Sequence, residues 1–244
     1  MRTVVIIPAR FSSSRYPGKP LVPLLGKPMI LWVSELAAKA VGNQNVYVAT
    51  DDDRIARVVE QAGFRFVMTG EAQTGTDRIA DAALAIDGDI FINVQGDEPL
   101  VDPQDILNIR DAKLRNPEKV INGYAWLSDS EDPSNVNIPK VITNESDDLV
   151  YMSRLPIPGF KEEKNVPDRY KKQVCIYAFS KNELKKYREF GRKSTLEQCE
   201  DIEILRFFEL GVPVLMVKTR PGSLAVDVPD DVGKVESALR ALQS

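Results

Sequence analysis

Three short segments concentrate the side chains able to do chemistry. The first is Pro8-Ala9-Arg10-Phe11-Ser12-Ser13-Ser14-Arg15-Tyr16-Pro17-Gly18-Lys19-Pro20, which sets Arg10, Arg15 and Lys19 among small residues and a glycine. It contains neither Gly-x-x-x-x-Gly-Lys-Ser/Thr nor Gly-x-Gly-x-x-Gly. Cations and backbone N–H groups converging after a strand nevertheless make a cradle for phosphate. A solvated basic loop has the same composition. The second segment is Gln95-Gly96-Asp97-Glu98-Pro99. An Asp at the end of an apolar run, beside a glycine that admits close approach, suits a Mg²⁺ ligand bridging to phosphate; an ordinary Gly-Asp turn before proline is the alternative. The third is Ala225-Val226-Asp227-Val228-Pro229-Asp230-Asp231. Asp230 and Asp231 read as the acidic first turn of a helix behind Pro229. Asp227 stands upstream of that helix, where it can face a cleft.

What the chain lacks narrows the chemistry further. Among its 244 residues there is no histidine, which excludes a Ser-His-Asp triad, a Cys-His dyad and every His-ligated zinc site. Its two cysteines, Cys175 and Cys199, have no metal spacing and form no disulfide framework; buried reduced thiols are the expectation. Chemistry must therefore run on carboxylates, Lys, Arg, hydroxyls and a hard metal. The 32 basic and 36 acidic side chains leave a net charge of −4, which argues against a general polyanion or nucleic-acid binder but not against a small phosphate ligand. No apolar run approaches the ~18 residues of a membrane span, and the short run ending at Pro8-Ala9-Arg10 is no signal peptide. A cytoplasmic protein is expected.

These segments need a scaffold, and the hydrophobic pattern supplies one. Val4–Ile7 is a continuous β-branched run, the mark of a strand buried on both faces. Apolar residues at helical spacing over 28–40, strands at 46–50, 64–68 and 89–94, and helices at 51–61 and 78–85 make βαβ alternation through about residue 113. Strands are then expected at 120–127, 138–143, 148–153 and 173–179, helices at 181–190 and 200–210, a strand at 213–218 and a final helix at 229–242. The pattern predicts an α/β fold, an open, mostly parallel twisted sheet from residues 1–118 and 211–244, with 119–210 as a smaller mixed-sheet insertion. Ligands of such sheets sit at the C-terminal ends of the strands, where all three segments fall.

The same segments carry a family resemblance. Ile6-Ile7-Pro8-Ala9-Arg10, Pro17-Gly18-Lys19-Pro20-Leu21 and Gly26-Lys27-Pro28-Met29-Ile30 resemble the opening of the 3-deoxy-manno-octulosonate (Kdo) cytidylyltransferases. Val48-Ala49-Thr50-Asp51, Gly75-Thr76-Asp77-Arg78, Asn93-Val94-Gln95-Gly96-Asp97-Glu98-Pro99, Ser153-Arg154, Ile176-Tyr177 and Val226-Asp227 follow in the family's order and spacing, over essentially the whole chain. The sialic-acid-activating relatives share the first loop in outline and match poorly downstream. The resemblance implies a Rossmann-like nucleotidyltransferase fold and a reaction of CTP with a free ketosugar acid, giving a CMP-sugar and pyrophosphate for lipopolysaccharide biosynthesis. It implies Asp97 and Asp227 as Mg²⁺ ligands, and Arg10, Arg15 and Lys19 as neutralisers of the triphosphate, with Lys19, Arg10, Asp97 and Asp227 the catalytic group. Pro8, Ala9, Thr50, Asp51, Gly75, Thr76, Arg78, Gln95 and Gly96 would complete the nucleotide pocket. It also implies a homodimer through the inserted region.

On the sugar side the sequence departs from the pattern. Where the family commonly reads Arg-His-x-Gly-Ile-Tyr, this chain has Lys172-Gln173-Val174-Cys175-Ile176-Tyr177; where it reads Glu-Gln-Leu-Arg, this chain has Glu203-Ile204-Leu205-Arg206. Gln173 and Ile204 thus stand at the family's His and Gln. Arg154 remains for the sugar carboxylate, with Tyr177, Glu197 and Glu203 beside it. The changes mean either a reshaped Kdo pocket or one for a C8-modified relative such as 8-amino-Kdo, whose amine would draw on Glu197, Glu203 or Asp201. A nucleotidyltransferase for another acidic sugar, and a noncatalytic nucleotide-binding protein on the same fold, are the competing readings.

Overall fold

Val4, Val5, Ile6 and Ile7 are all fully buried, because strand β1 (Thr3–Ala9) runs through the middle of a sheet covered on both faces. The structure, a computed structural model, describes residues 1–12, 16–220 and 224–243. A hairpin of β2 (Pro23–Leu24) and β3 (Lys27–Pro28) leads into α1 (Met29–Val41), β4 (Val46–Thr50), α2 (Asp53–Gln61), β5 (Arg65–Met68), α3 (Gly75–Ala85), β6 (Ile90–Val94), α4 (Pro103–Arg115) and β7 (Val120–Trp126). Strands β8 (Lys140–Thr143), β9 (Leu149–Ser153) and β10 (Lys171–Ser180) follow. Helices α5 (Lys181–Glu189), α6 (Thr195–Glu200) and α7 (Leu205–Glu209) then lead to β11 (Val214–Lys218) and α8 (Val232–Gln243).

The main sheet has the order β11-β7-β10-β6-β1-β4-β5. Its neighbours pair parallel except β10, which runs antiparallel to both β6 and β7. The sheet is therefore mostly parallel, as the βαβ alternation implies. Within 119–210, β7 and the Ile176–Ser180 half of β10 run inside this sheet. β8 joins it through β10, and β9 pairs only with β8.

Helix ends follow local chemistry. The acidic run expected to open a helix at Asp51 caps it instead: the Asp52 carboxylate accepts from the Arg54 N–H, and α2 starts at Asp53. Thr74 caps α3 by accepting from the Asp77 N–H, so this helix begins three residues before the expected Arg78. The expected helix at 200–210 is shorter, α7 at 205–209, and it follows a helix the pattern does not predict, α6, which ends where Asp201 adopts a left-handed conformation (φ 50°).

Two apolar layers sandwich the sheet. Val5 and Ile7 pack with Ile30, Val33, Ile55, Ile106 and Ile109 from α1, α2 and α4. Val4 and Ile6 pack with Ile79, Leu184, Leu205 and Phe207 from α3, α5 and α7. α8 closes a smaller cluster in which Val235 and Leu239 meet Leu24, Met29 and Val226. β4 lies on one side of β1 and β6 on the other, so the crevice outside the ends of β1 and β6 is the topological switch point. Among the described residues no helix is long and apolar enough to cross a membrane.

Candidate active site

At that switch point lies a cleft of about 340 Å³, lined from β1 by Pro8, Ala9 and Arg10 and from the loop after β6 by Gln95, Gly96 and Asp97. Gly96 is required here: a Cβ at this position would stand 2.9 Å from the Pro8 carbonyl oxygen, so a side chain would force the two strand ends apart. The β1 loop folds back on itself as the Gly18 N–H donates to the Phe11 carbonyl at 2.8 Å. That turn aims Lys19 into the cleft, where its ammonium donates to Asp97 Oδ2 at 2.5 Å and lies 3.5 Å from Asp227 Oδ1. Asp227 reaches this point because the preceding Val226 N–H bonds the Asp97 carbonyl at 3.0 Å. Asp231 accepts from the N–H groups of Asp227 and Val228, so it caps the turn at 229–231, the helix-start role its position implies.

The arrangement fits a hard divalent cation. Two carboxylates from separate loops already converge on one positive charge, the Lys19 ammonium. Among the described residues no group of three or more His, Cys, Asp or Glu converges. Mg²⁺ commonly makes do with one or two carboxylates, the substrate's phosphates and water completing its shell.

A second wall comes from the start of α3 and from α6 with its turn into α7. It presents Gln73, Thr74, Gly75, Arg78, Lys193, Glu197, Asp201 and Glu203. Arg78 is 3% exposed; it donates to Asp51 Oδ2 at 2.6 Å and to the Thr69 hydroxyl. Glu203 accepts from the N–H groups of Gly75 and Thr76 at 2.9 Å each and from the Thr76 hydroxyl. Its carboxylate thus occupies the N-terminus of α3, where the helix dipole favours negative charge. Burial raises its pKa even against those donors. Glu197 accepts from Arg206 Nε and Nη2 at 2.6 and 2.7 Å. The same guanidinium donates to both Asp77 oxygens, at 2.6 and 3.2 Å, and lies 3.7 Å over the Tyr187 ring. Burial works against the charge on Arg206, but the bonds to Glu197 and Asp77 prevail and hold its pKa above the usual value.

Of the positions singled out in the sequence, the cleft gathers Pro8, Ala9, Arg10, Lys19, Gly75, Arg78, Gln95, Gly96, Asp97, Glu197 and Glu203. Asp227 touches it through Lys19. Arg15 lies outside the described residues. Thr50, Asp51 and Thr76 sit behind the lining: Asp51 holds Arg78, Thr76 holds Glu203, and the Thr50 hydroxyl accepts from the Asp52 N–H. Arg154 is also outside the lining, its Nη1 and Nη2 donating at 2.8 Å to the carbonyls of Val136 and Asp201 and its Nε to that of Glu200. Gln173 donates to Asn122 Oδ1 at 3.0 Å and lies 3.4 Å from the Tyr177 hydroxyl, while Tyr177 is 3% exposed. Ile204 packs in the apolar layer beside α7. Burial pushes the Cys175 thiol up to about 12, so it is no thiolate nucleophile.

Neither Lys193 nor the Arg206–Asp77–Glu197 network has a local signature in the sequence. Ser194-Thr195-Leu196-Glu197 reads in sequence as a capping box, and half of it forms: the Ser194 N–H donates to Glu197 at 3.0 Å, while the Ser194 hydroxyl has no partner among the described residues. Nothing local says that the lysine ahead of it faces a cleft.

Comparison with known proteins places this geometry. The sequence pattern of the family described as Cytidylyltransferase matches residues 4–216. A 3-deoxy-manno-octulosonate cytidylyltransferase of Trichlorobacter lovleyi is 39% identical over 98% of this chain and 99% of its own. An 8-amino-3,8-dideoxy-manno-octulosonate cytidylyltransferase of Shewanella baltica is likewise 39% identical, over 98% and 99%. Among solved structures, the CMP:2-keto-3-deoxy-manno-octonic acid synthetase complexed with CTP superposes with a TM-score of 0.92 at 35% identity, covering 100% of both chains. With its switch-point cleft, its paired carboxylates and a match along nearly its full length, the chain belongs to the cytidylyltransferase family of nucleotidyltransferases.

Proposed function

We propose that this enzyme joins CTP to a ketosugar acid, Kdo or its 8-amino relative, forming the CMP-sugar and releasing pyrophosphate. The observation that carries the reading is the Lys19 ammonium held between Asp97 and Asp227 at the mouth of β6. The CTP-bound relative and the two named sugar activities among the relatives support it. In this reading the anomeric hydroxyl attacks the α-phosphorus in line with departing pyrophosphate. Such a transfer needs positioning and charge neutralisation rather than a histidine base. Arg10 and Lys19 face the triphosphate, and Gly96 keeps the backbone close to it. Asp97 and Asp227 would hold Mg²⁺, which when bound would lower the pKa of the attacking hydroxyl and offset charge on the α-phosphate.

Both sugars stay within the proposal. An ammonium at C8 would need a carboxylate in the cleft wall, yet Glu197 is engaged by Arg206, Glu203 by α3 and Asp201 by Lys193. Pyrophosphate release from CTP and Mg²⁺ with each sugar tests the reading; turnover of neither would end it. Lys19→Ala is expected to weaken CTP more than CMP, because the lost cation faces the distal phosphates. Calorimetry with both nucleotides measures this, and equal weakening would place Lys19 elsewhere.

The reaction belongs in the cytoplasm, where its nucleotide is made, and the active form is a homodimer through the inserted region. Five of the exposed large apolar side chains, Val136, Val150, Leu155, Phe160 and Val166, fall within 136–166, which suits a buried interface. Sedimentation equilibrium should give twice the chain mass, and a monomer at working concentration would refute the dimer.

A further inference from the structure

Lys193 lines the cleft but has no part in the reading above. Its ammonium donates to Asp201 Oδ1 at 3.0 Å, and among the described residues that is its one acceptor. An ammonium has three N–H donors, so two remain for a ligand. Asp201 in turn is crowded with positive charge. Arg154 Nη2 lies 3.9 Å from its carboxylate, and Arg10 lines the same cleft. The N–H donors left on Lys193 are what a second carboxylate, brought by the ligand, would satisfy.

The other groups of this wall do not compete for that role. Arg154 spends Nε, Nη1 and Nη2 on backbone carbonyls and lies outside the lining. Glu197 and Glu203 are held by Arg206 and by the N-terminus of α3. Lys19 is committed to Asp97 and Asp227 at the phosphate end. We propose that Lys193 is the residue that receives the carboxylate of the ketosugar acid, with Asp201 holding the ammonium in place until the sugar arrives. This rests on the ketosugar reading above and deepens it: the sugar's acid group is read from the α6 wall, by a lysine, rather than by Arg154.

Steady-state kinetics on the full chain, with the ketosugar acid and CTP varied in turn, tests this. Lys193→Gln should raise KM for the sugar about tenfold or more, the loss expected for one charge-assisted bond. KM for CTP should stay within about twofold, and Lys193→Arg should recover most of the loss. The carboxamide of the same sugar, used as a competitive inhibitor, should bind wild type and Lys193→Gln alike. An unchanged sugar KM in Lys193→Gln overturns the assignment. Equal weakening of acid and carboxamide overturns it too, since Lys193 would not then be reading the charge. Wild type that turns over neither sugar would instead sink the ketosugar reading itself.

Discussion

Asp97→Asn and Asp227→Asn should each lower turnover by about a hundredfold or more while the fold survives, the effect expected when one charge-neutralising group is lost at a phosphoryl centre. The two carboxylates come from loops joined by the Val226–Asp97 backbone bond, which neither substitution removes. Both side chains are partly exposed, at 25% and 47%, so the folded state does not depend on their charge. Circular dichroism should therefore match wild type. Titrating Mg²⁺ or Mn²⁺ into each variant with CTP present should show weakened metal binding alongside the lost rate. Near-normal turnover in a folded variant would reduce that carboxylate to a counterion for Lys19.

The largest stability effect is expected at Arg206. Its guanidinium is 1% exposed and bridges Glu197, also 1% exposed, to Asp77 in the first turn of α3. Arg206→Met removes the shared cation and leaves Glu197 as an unpaired buried charge, at a cost of about 3–5 kcal/mol. In a chain of this size that corresponds to a fall of roughly 6–20 °C in Tm. Replacing both partners, Arg206→Met with Glu197→Leu, should recover part of the loss, because no buried charge is then stranded. Differential scanning calorimetry distinguishes the cases; a single variant melting within about 2 °C of wild type would show that water reaches the pair and screens it. The same cation ties α6 and α7, whose flanking residues include Lys193, Asp201 and Glu203, to α3, so the network fixes one wall of the cleft as well as the core.

Which parts of this protein were legible in sequence follows from the range of the interactions involved. The βαβ alternation and the site at its strand ends were readable, because burial on both faces writes itself locally as β-branched runs such as Val4–Ile7. So were Pro8–Arg10 and Gln95–Asp97, which follow β1 and β6 directly, because strand order carries such positions to one crevice; Lys19 and Asp227 reach it through the Gly18–Phe11 turn and the Val226–Asp97 backbone bond. The absence of histidine also confined the chemistry to carboxylates and cations.

Tertiary structure decided the rest. An antiparallel β10 between β6 and β7 has no local signature, since period-two patterning records which faces are buried and not which strand lies alongside. That pairing turns Gln173 to Asn122 and Tyr177 instead of the cleft lining. The partners that hold Arg154, Glu197 and Glu203 in this structure lie 46, 9 and 128 residues away in the chain. A charged side chain in sequence is only a candidate ligand; whether it meets substrate depends on which counter-charge or backbone group reaches it first. Lys193 shows the converse, an unremarkable lysine before a capping box that the left-handed turn at Asp201 helps bring onto the wall of a cleft.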